Sequence, residues 1–116
     1  MSAHVKSKME DVNMLKIRLF CANGMSTSLL VKKMEEAAAE KGKEVDIKAY
    51  PILDMERLVG EADVALLGPQ VGYQLSKAKE ICGAKDVPVD VIPMADYGMC
   101  NGLSVLRFAF KLAAGK

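Results

Sequence analysis

The spacing of hydrophobic and polar residues changes repeatedly along the chain, and each change marks an element. Lys16 to Cys21 (KIRLFC) sets Ile17, Leu19 and Cys21 on one face and Arg18 and Phe20 on the other, a period of two that predicts a strand. Small and polar residues follow, and Leu29 to Lys41 then carries Leu30, Met34, Ala37 and Ala38 at helical spacing. This is a helix with hydroxyls in its first turn and Gly42 at its end. Val45, Ile47 and Ala49 alternate with Asp46, Lys48 and Tyr50 in a second strand that Pro51 closes. A short amphipathic helix from Asp54 to Val59 stops at Gly60. Val64-Ala65-Leu66-Leu67 is an apolar run without alternation, as expected of a central strand covered on both faces. Gly68-Pro69 opens a helix with Val71, Leu75, Ala78 and Cys82 on one side and Gly83 at its end. Val87 to Pro93 predicts the last strand, and Gly102 to Ala114 the last helix.

Alternation of strand and helix with short connections implies an α/β domain with one four-stranded parallel sheet, right-handed crossovers and helices on both faces. The strand order expected of such a sheet is 2-1-3-4. Its first and third strands then lie side by side where the winding reverses, and ligands of open α/β sheets bind there, outside the carboxyl ends of the strands. Topology therefore nominates Cys21 with its loop and, across from it, Gly68-Pro69-Gln70.

With 116 residues there is room for one domain, read as residues 16–116 behind a flexible N-terminal extension of residues 1–15. Lys and Arg number 16 and Asp and Glu 15, so a formal charge of +1 supplies no overall field for nucleic acid or an anionic membrane. The longest uncharged apolar stretch, Val64 to Gly72, is far short of a membrane span and contains Pro69. Met1 to Asn13 is polar with charges of both signs and no apolar h-region, which points to a cytoplasmic protein. Cys21, Cys82 and Cys100 are odd in number and form no C-x-x-C pair, so thiols are expected. His4, the only histidine, lies in the lead-in, leaving no metal set and no internal histidine base. Neither of the standard glycine-rich nucleotide loops occurs.

What remains is the chemistry of the Cys21 loop. A thiol at a strand end, followed by a glycine-containing loop and a helix start, sits where backbone N–H groups and the positive end of a helix dipole converge. Both favour negative charge at that point. The N–H groups of Ala22, Asn23, Gly24, Met25, Ser26, Thr27 and Ser28, with the hydroxyls of Ser26, Thr27 and Ser28, make an anion cradle able to surround a phosphoryl group. A nucleophile inside a phosphate nest suggests covalent phosphoryl transfer. Against this stand plainer readings, in which Cys21 is a small buried hydrophobe and the hydroxyls are helix caps. Cys82 lies on the apolar stripe of its helix and reads as packing, and Cys100 reads as part of the turn before the last helix.

Leu19-Phe20-Cys21-Ala22-Asn23-Gly24-Met25-Ser26-Thr27-Ser28-Leu29-Leu30, then Leu66-Leu67-Gly68-Pro69-Gln70, then Tyr97-Gly98 and Asn101-Gly102 resemble the IIB proteins of the lactose/cellobiose (chitobiose) family of bacterial sugar phosphotransferase systems. The resemblance runs from Lys16 to Leu112. It implies the low-molecular-weight tyrosine phosphatase fold and a phosphocarrier: Cys21 takes a phosphoryl group from a phosphohistidine on a IIA partner. The group then passes to a β-linked disaccharide held by the membrane IIC permease. No cofactor and no metal are implied in this subunit, and a monomer is the default for a carrier that meets two partners in turn. Gln70 and Tyr97 are expected to line the mouth of the site, since their strand ends share one edge of the sheet.

Two other classes compete. Low-molecular-weight phosphatases and similar arsenate reductases carry an arginine six residues after the cysteine, where this chain has Thr27. The bidentate clamp on the phosphoryl oxygens is thus missing, although Asp96 resembles a general acid in its position. A non-catalytic docking module is the third class, because the last helix has polar residues only at Ser104, Arg107 and Lys111 and needs burial over most of its surface.

Overall fold

The computed structural model of the chain describes residues 14–22 and 27–115, so His4, the rest of the lead-in up to residue 13, and Asn23, Gly24, Met25 and Ser26 lie outside the described residues. The elements are β1 (Leu15–Cys21), α1 (Ser28–Glu40), β2 (Val45–Pro51), α2 (Met55–Leu58), β3 (Val64–Leu67), α3 (Leu75–Ala84), β4 (Val89–Val91), α4 (Met94–Gly98) and α5 (Gly102–Ala114). The sheet has the order β2-β1-β3-β4 with every pair parallel, as the alternating pattern predicts. Cys21 stands at the carboxyl end of β1 opposite Pro51 of β2, and Phe20 opposite Leu67 of β3.

The period of two in β1 divides the interior into two cores. Ile17 and Leu19 face α1 and α5, packing with Leu30, Met34, Val105 and Ala109. Phe20 faces the other way, into Met55, Val59, Val71, Ala78 and Cys82 from the α2 and α3 side. Both layers exclude water from β1 and β3, which explains why Val64 to Leu67 has no polar alternation.

Arg18 is the exception on β1, a charge only 2% exposed. Its Nε donates to Glu61, Nη2 donates to Asp46 Oδ2 at 3.1 Å, and Nη1 donates to the carbonyl oxygens of Asp46 and Ile17 at 2.7 and 3.1 Å. Desolvation by burial works against this guanidinium, but Glu61 and Asp46 outweigh it and its pKa moves up. Burial also works against the Asp46 carboxylate, and Arg18 outweighs that too, holding Asp46 below its usual value.

Three elements differ from the pattern. The segment after Gly68-Pro69 begins as a 3-10 turn over Pro69–Gln74, with Val71 out of helical geometry (φ −113°, ψ 19°), and becomes α-helical only at Leu75. Val71 is buried, and the kink is where the chain turns that side chain into the core. The last strand is confined to Val89–Val91 because the Val87 N–H is used by the Cys82 carbonyl at the end of α3 and Pro88 has no N–H to give. The residues between β4 and α5 contain a helix, α4, that the spacing does not signal, since five residues are too few for a period to register. The helix around Asp54 to Val59 is a single α-turn flanked by 3-10 turns, Ile52–Asp54 and Val59–Glu61.

α1 and α5 approach so closely that a Cβ on Gly102 would lie 2.4 Å from the Lys33 carbonyl carbon and oxygen. Backbone cannot retreat as a side chain can. Gly102→Ala is therefore expected to lower stability by about 2 kcal/mol and the melting temperature by roughly 10 °C, and an unchanged thermal midpoint would refute the contact. A second prediction concerns acid. A depressed Asp46 pKa contributes stability that is present above its unfolded value and lost as pH falls through the folded one. Urea denaturation should find Asp46→Asn weaker than wild type at pH 7, with the gap shrinking below about pH 4; a gap independent of pH would exclude the linkage.

Candidate functional site

The site is built on the carboxyl ends of β1 and β3. Cys21 ends β1 and is fully buried, while the next residue, Ala22, is an exposed bend. Thr27, at the N-cap position of α1, is also fully buried, yet its side chain makes no capping hydrogen bond. Its Oγ1 lies 3.8 Å from Cys21 Sγ instead. The capping reading of this hydroxyl thus gives way to contact with the thiol, six positions on from the cysteine. The Thr27 carbonyl accepts the Val31 N–H at 2.9 Å, which starts the helix and leaves the amides of its first turn without intrahelical carbonyl partners. Ser28, the first residue of α1, is exposed.

Across the seam, Gly68 follows β3 and donates its N–H to the Phe20 carbonyl at 2.9 Å. A Cβ built on it would meet Gln70 Oε1 at 2.9 Å, Cys21 Cβ at 3.4 Å and Tyr97 Cε1 at 3.7 Å. Gly68, Gln70 and Tyr97 are therefore gathered at Cys21, with Gln70 exposed and Tyr97 half-buried on α4. Gly68 has φ −64° and ψ 148°, a conformation open to any residue, so glycine is required there for space and not for backbone freedom. Topology already places Gly68 across from Cys21; the close approach of three segments is what shows why it must be glycine. Asn23, Gly24, Met25 and Ser26 belong to the expected cradle but lie outside the described residues.

The remaining candidates fall elsewhere. Cys82 is fully buried among the α3 core residues, its Sγ 3.9 Å from Met55 Sδ, and burial pushes its thiol up to about 11, so it stays protonated near neutral pH. Cys100 is half-buried with φ 50° and donates its N–H to Tyr97 O at 3.1 Å, closing the turn after α4. Asn101 then caps α5 by accepting the Ser104 N–H at 3.2 Å, and its own N–H donates to the Asp96 carbonyl at 2.9 Å. Among the described residues, no three His, Cys, Asp or Glu side chains group to hold a metal ion, and no helix is long and apolar enough to cross a membrane.

A buried strand-end thiol facing a hydroxyl, a helix start and a bare glycine has the chemistry that a nucleophile handling a small anion requires. Comparison with known proteins supplies the family. The family model described as "PTS system, Lactose/Cellobiose specific IIB subunit" matches residues 16–108, and the chain belongs to this family of the sugar phosphotransferase system (PTS). It is 48% identical over 104 residues to the galactose-specific EIIB component of Lactococcus lactis subsp. cremoris, covering 83% of this chain and 94% of the relative. It is 38% identical over 99 residues to the oligo-beta-mannoside-specific EIIB component of Bacillus subtilis, covering 85% and 96%. Among solved structures, the cellobiose-specific IIB protein of Borrelia burgdorferi superposes with a TM-score of 0.75 at 35% identity, covering 89% of this chain and 94% of that one. The lactose-specific IIB domain of Streptococcus pneumoniae shares the fold with a TM-score of 0.77 at 18% identity, covering 85% and 97%. IIB components are phosphotransferases and work with IIA and membrane IIC partners; their domains have the low-molecular-weight phosphatase-like fold.

The space at Gly68 is open to a direct test. In Gly68→Ala the far end of Gln70 moves easily, so folding is preserved while the new methyl crowds Cys21. Strain of about 1 kcal/mol in reaching the reactive geometry should slow alkylation of Cys21 about five-fold. Removing Gln70 as well, in Gly68→Ala/Gln70→Ala, should restore part of the rate by peptide mass spectrometry. Equal rates in wild type and Gly68→Ala would show that the wall does not govern access to sulfur.

Proposed function

We propose that Cys21 is the phosphoryl carrier, taking the group from a phosphohistidine of the IIA partner and donating it to a β-linked disaccharide bound by the IIC permease. In the first step Cys21 Sγ attacks phosphorus, the S–P bond forms as the N–P bond breaks, and the thiol proton ends on the departing imidazole. In the second step a sugar hydroxyl attacks phosphorus, the O–P bond forms as the S–P bond breaks, and the hydroxyl proton returns to sulfur. Backbone N–H groups from Ala22 to Ser28 cradle the phosphoryl oxygens, with the Ser26, Thr27 and Ser28 hydroxyls as auxiliary donors. Gln70 and Tyr97 form the rim.

The observation that supports this reading most is the Thr27 hydroxyl 3.8 Å from the thiol at the position where a phosphatase loop has arginine. A hydroxyl donates one hydrogen bond and carries no charge, so it holds a phosphoryl group without the bidentate clamp that favours attack by water. The site also has a face suited to protein partners. The exposed large hydrophobic side chains among the described residues, Leu29, Leu53, Tyr73, Met94 and Met99, all lie in segments that follow the carboxyl ends of strands in the chain. Two of them are methionines, whose flexible side chains adapt to differently shaped partners, and a cytoplasmic carrier must fit two. The cellobiose and oligo-beta-mannoside specificities named for two relatives favour β-linked saccharides as the final acceptor class, while a third relative is named for galactose, a monosaccharide.

Incubation with phosphoenolpyruvate, the general phosphotransfer proteins and IIA should place a single phosphoryl adduct on Cys21 by mass spectrometry, stable alone and discharged by permease and sugar. Cys21→Ser should carry none in the same time. Gln70→Ala and Tyr97→Phe should slow transfer about ten-fold each, a loss of roughly one hydrogen bond to a charged group. An adduct on Cys82 or Cys100, or catalytic turnover of an aryl phosphate without an adduct, would overturn the carrier assignment.

A further inference from the structure

A second surface lies away from Cys21, along α5. This helix contains no carboxylate, and its outward ridge is Arg107 and Lys111, both exposed. On the α1 side, Leu103, Leu106, Arg107 and Phe110 join Lys41 and Lys43 in lining a groove of about 290 Å³. Its floor is apolar, and Lys43 Nζ stands 5.6 Å from the centre of the Phe110 ring. Its charged lining is of one sign. Among the described residues Lys41, Lys43 and Arg107 enter no ion pair, whereas the partnered cations, Arg18, Lys48 and Arg57, all lie on other elements.

We propose that this groove docks an acidic amphipathic segment of a partner protein, with apolar side chains on Leu103, Leu106 and Phe110 and carboxylates against Lys41, Lys43 and Arg107. Charge selects that occupant over a second copy of this chain, because two-fold packing of α5 on itself brings Arg107 and Lys111 against their own kind. Shape selects it over a lipid surface. Leu103 and Phe110 are half-buried and recessed between helices, whereas interfacial binding needs apolar side chains that project. Lys43 stands just before β2, at the amino-terminal edge of the sheet, so the groove opens opposite the end at which Cys21 sits. A segment bound there leaves the thiol accessible. The surface is thus a tether compatible with phosphoryl transfer and separate from it.

The test uses the full chain and a synthetic amphipathic helix with Leu and Phe at i, i+3, i+4 and i+7 and glutamates elsewhere, beside a version with lysines in place of the glutamates. In NMR titrations the acidic peptide is expected to shift amides of Lys41 to Lys43 and Leu103 to Lys111 and to leave those near Cys21 in place. The basic peptide should shift neither. Lys43→Glu/Arg107→Glu should weaken the acidic peptide at least about ten-fold, equivalent to about 1.4 kcal/mol, while circular dichroism and phosphorylation of Cys21 by IIA stay as in wild type. No binding, binding insensitive to the charge reversal, a dimer in sedimentation equilibrium that Arg107→Glu dissociates, or tighter capture by phosphatidylserine vesicles than by the peptide would each overturn the proposal. Loss of Cys21 phosphorylation in wild type would count against the carrier reading alone, because peptide binding is read without it.

Discussion

Everything in this molecule hangs on β1 being hydrogen-bonded on both edges and covered on both faces. Seven residues pair with β2 and four with β3, and from Ile17 to Cys21 every one is buried. Removing the strand from water satisfies its backbone through the ladders and stacks Ile17 and Leu19 on one core and Phe20 on the other. Because both edges and both faces are committed, the strand cannot slip by one residue without exchanging the two cores. Cys21 therefore inherits its position from the register of the whole sheet.

The buried arginine on that strand is part of the same constraint. Arg18 reaches Asp46 on β2 and Glu61 ahead of β3, so one guanidinium fastens the amino-terminal edge on both sides of β1. A buried charge with these partners is weak evidence of added stability, since desolvation offsets much of the attraction. Its value is in specifying the pairing: any other neighbour for β1 leaves the charge without its carboxylates. The amino-terminal edge is thus fixed by charge and the middle by apolar packing, which leaves the carboxyl edge for polar chemistry.

At that edge the fold gathers groups from four separate stretches. Thr27 comes from the start of α1, Gly68 and Gln70 from the turn after β3, and Tyr97 from α4, all meeting at a thiol supplied by β1. The docking of α5 on α1 through Gly102 also bears on this cluster, because α4 and its Tyr97 lie just before it in the chain and Asn101 links the two helices. The chain's membership in the IIB family sets this cluster in a sugar phosphotransferase component, with the thiol held rigidly at the end of a fully buried strand.

Periodicity in the sequence was enough to determine the alternation of strands and helices, the division of β1 into two faces and the last helix to its residue limits; the common order of such sheets then gave 2-1-3-4, and topology with loop chemistry nominated Cys21 with Thr27, Gln70 and Tyr97. These are legible because alternation and helical spacing are local consequences of burying one face, and because a parallel sheet confines ligands to one edge. Tertiary structure alone decided that Thr27 turns its hydroxyl to sulfur instead of to its own helix, that Gly68 is kept bare by three converging segments, and that Arg18 is buried between two carboxylates. It also decided the short helix α4 and the kink at Val71. Each of these depends on contacts between residues far apart in the chain or on runs too short to carry a period, and no spacing rule along a single strand or helix encodes a distance between segments.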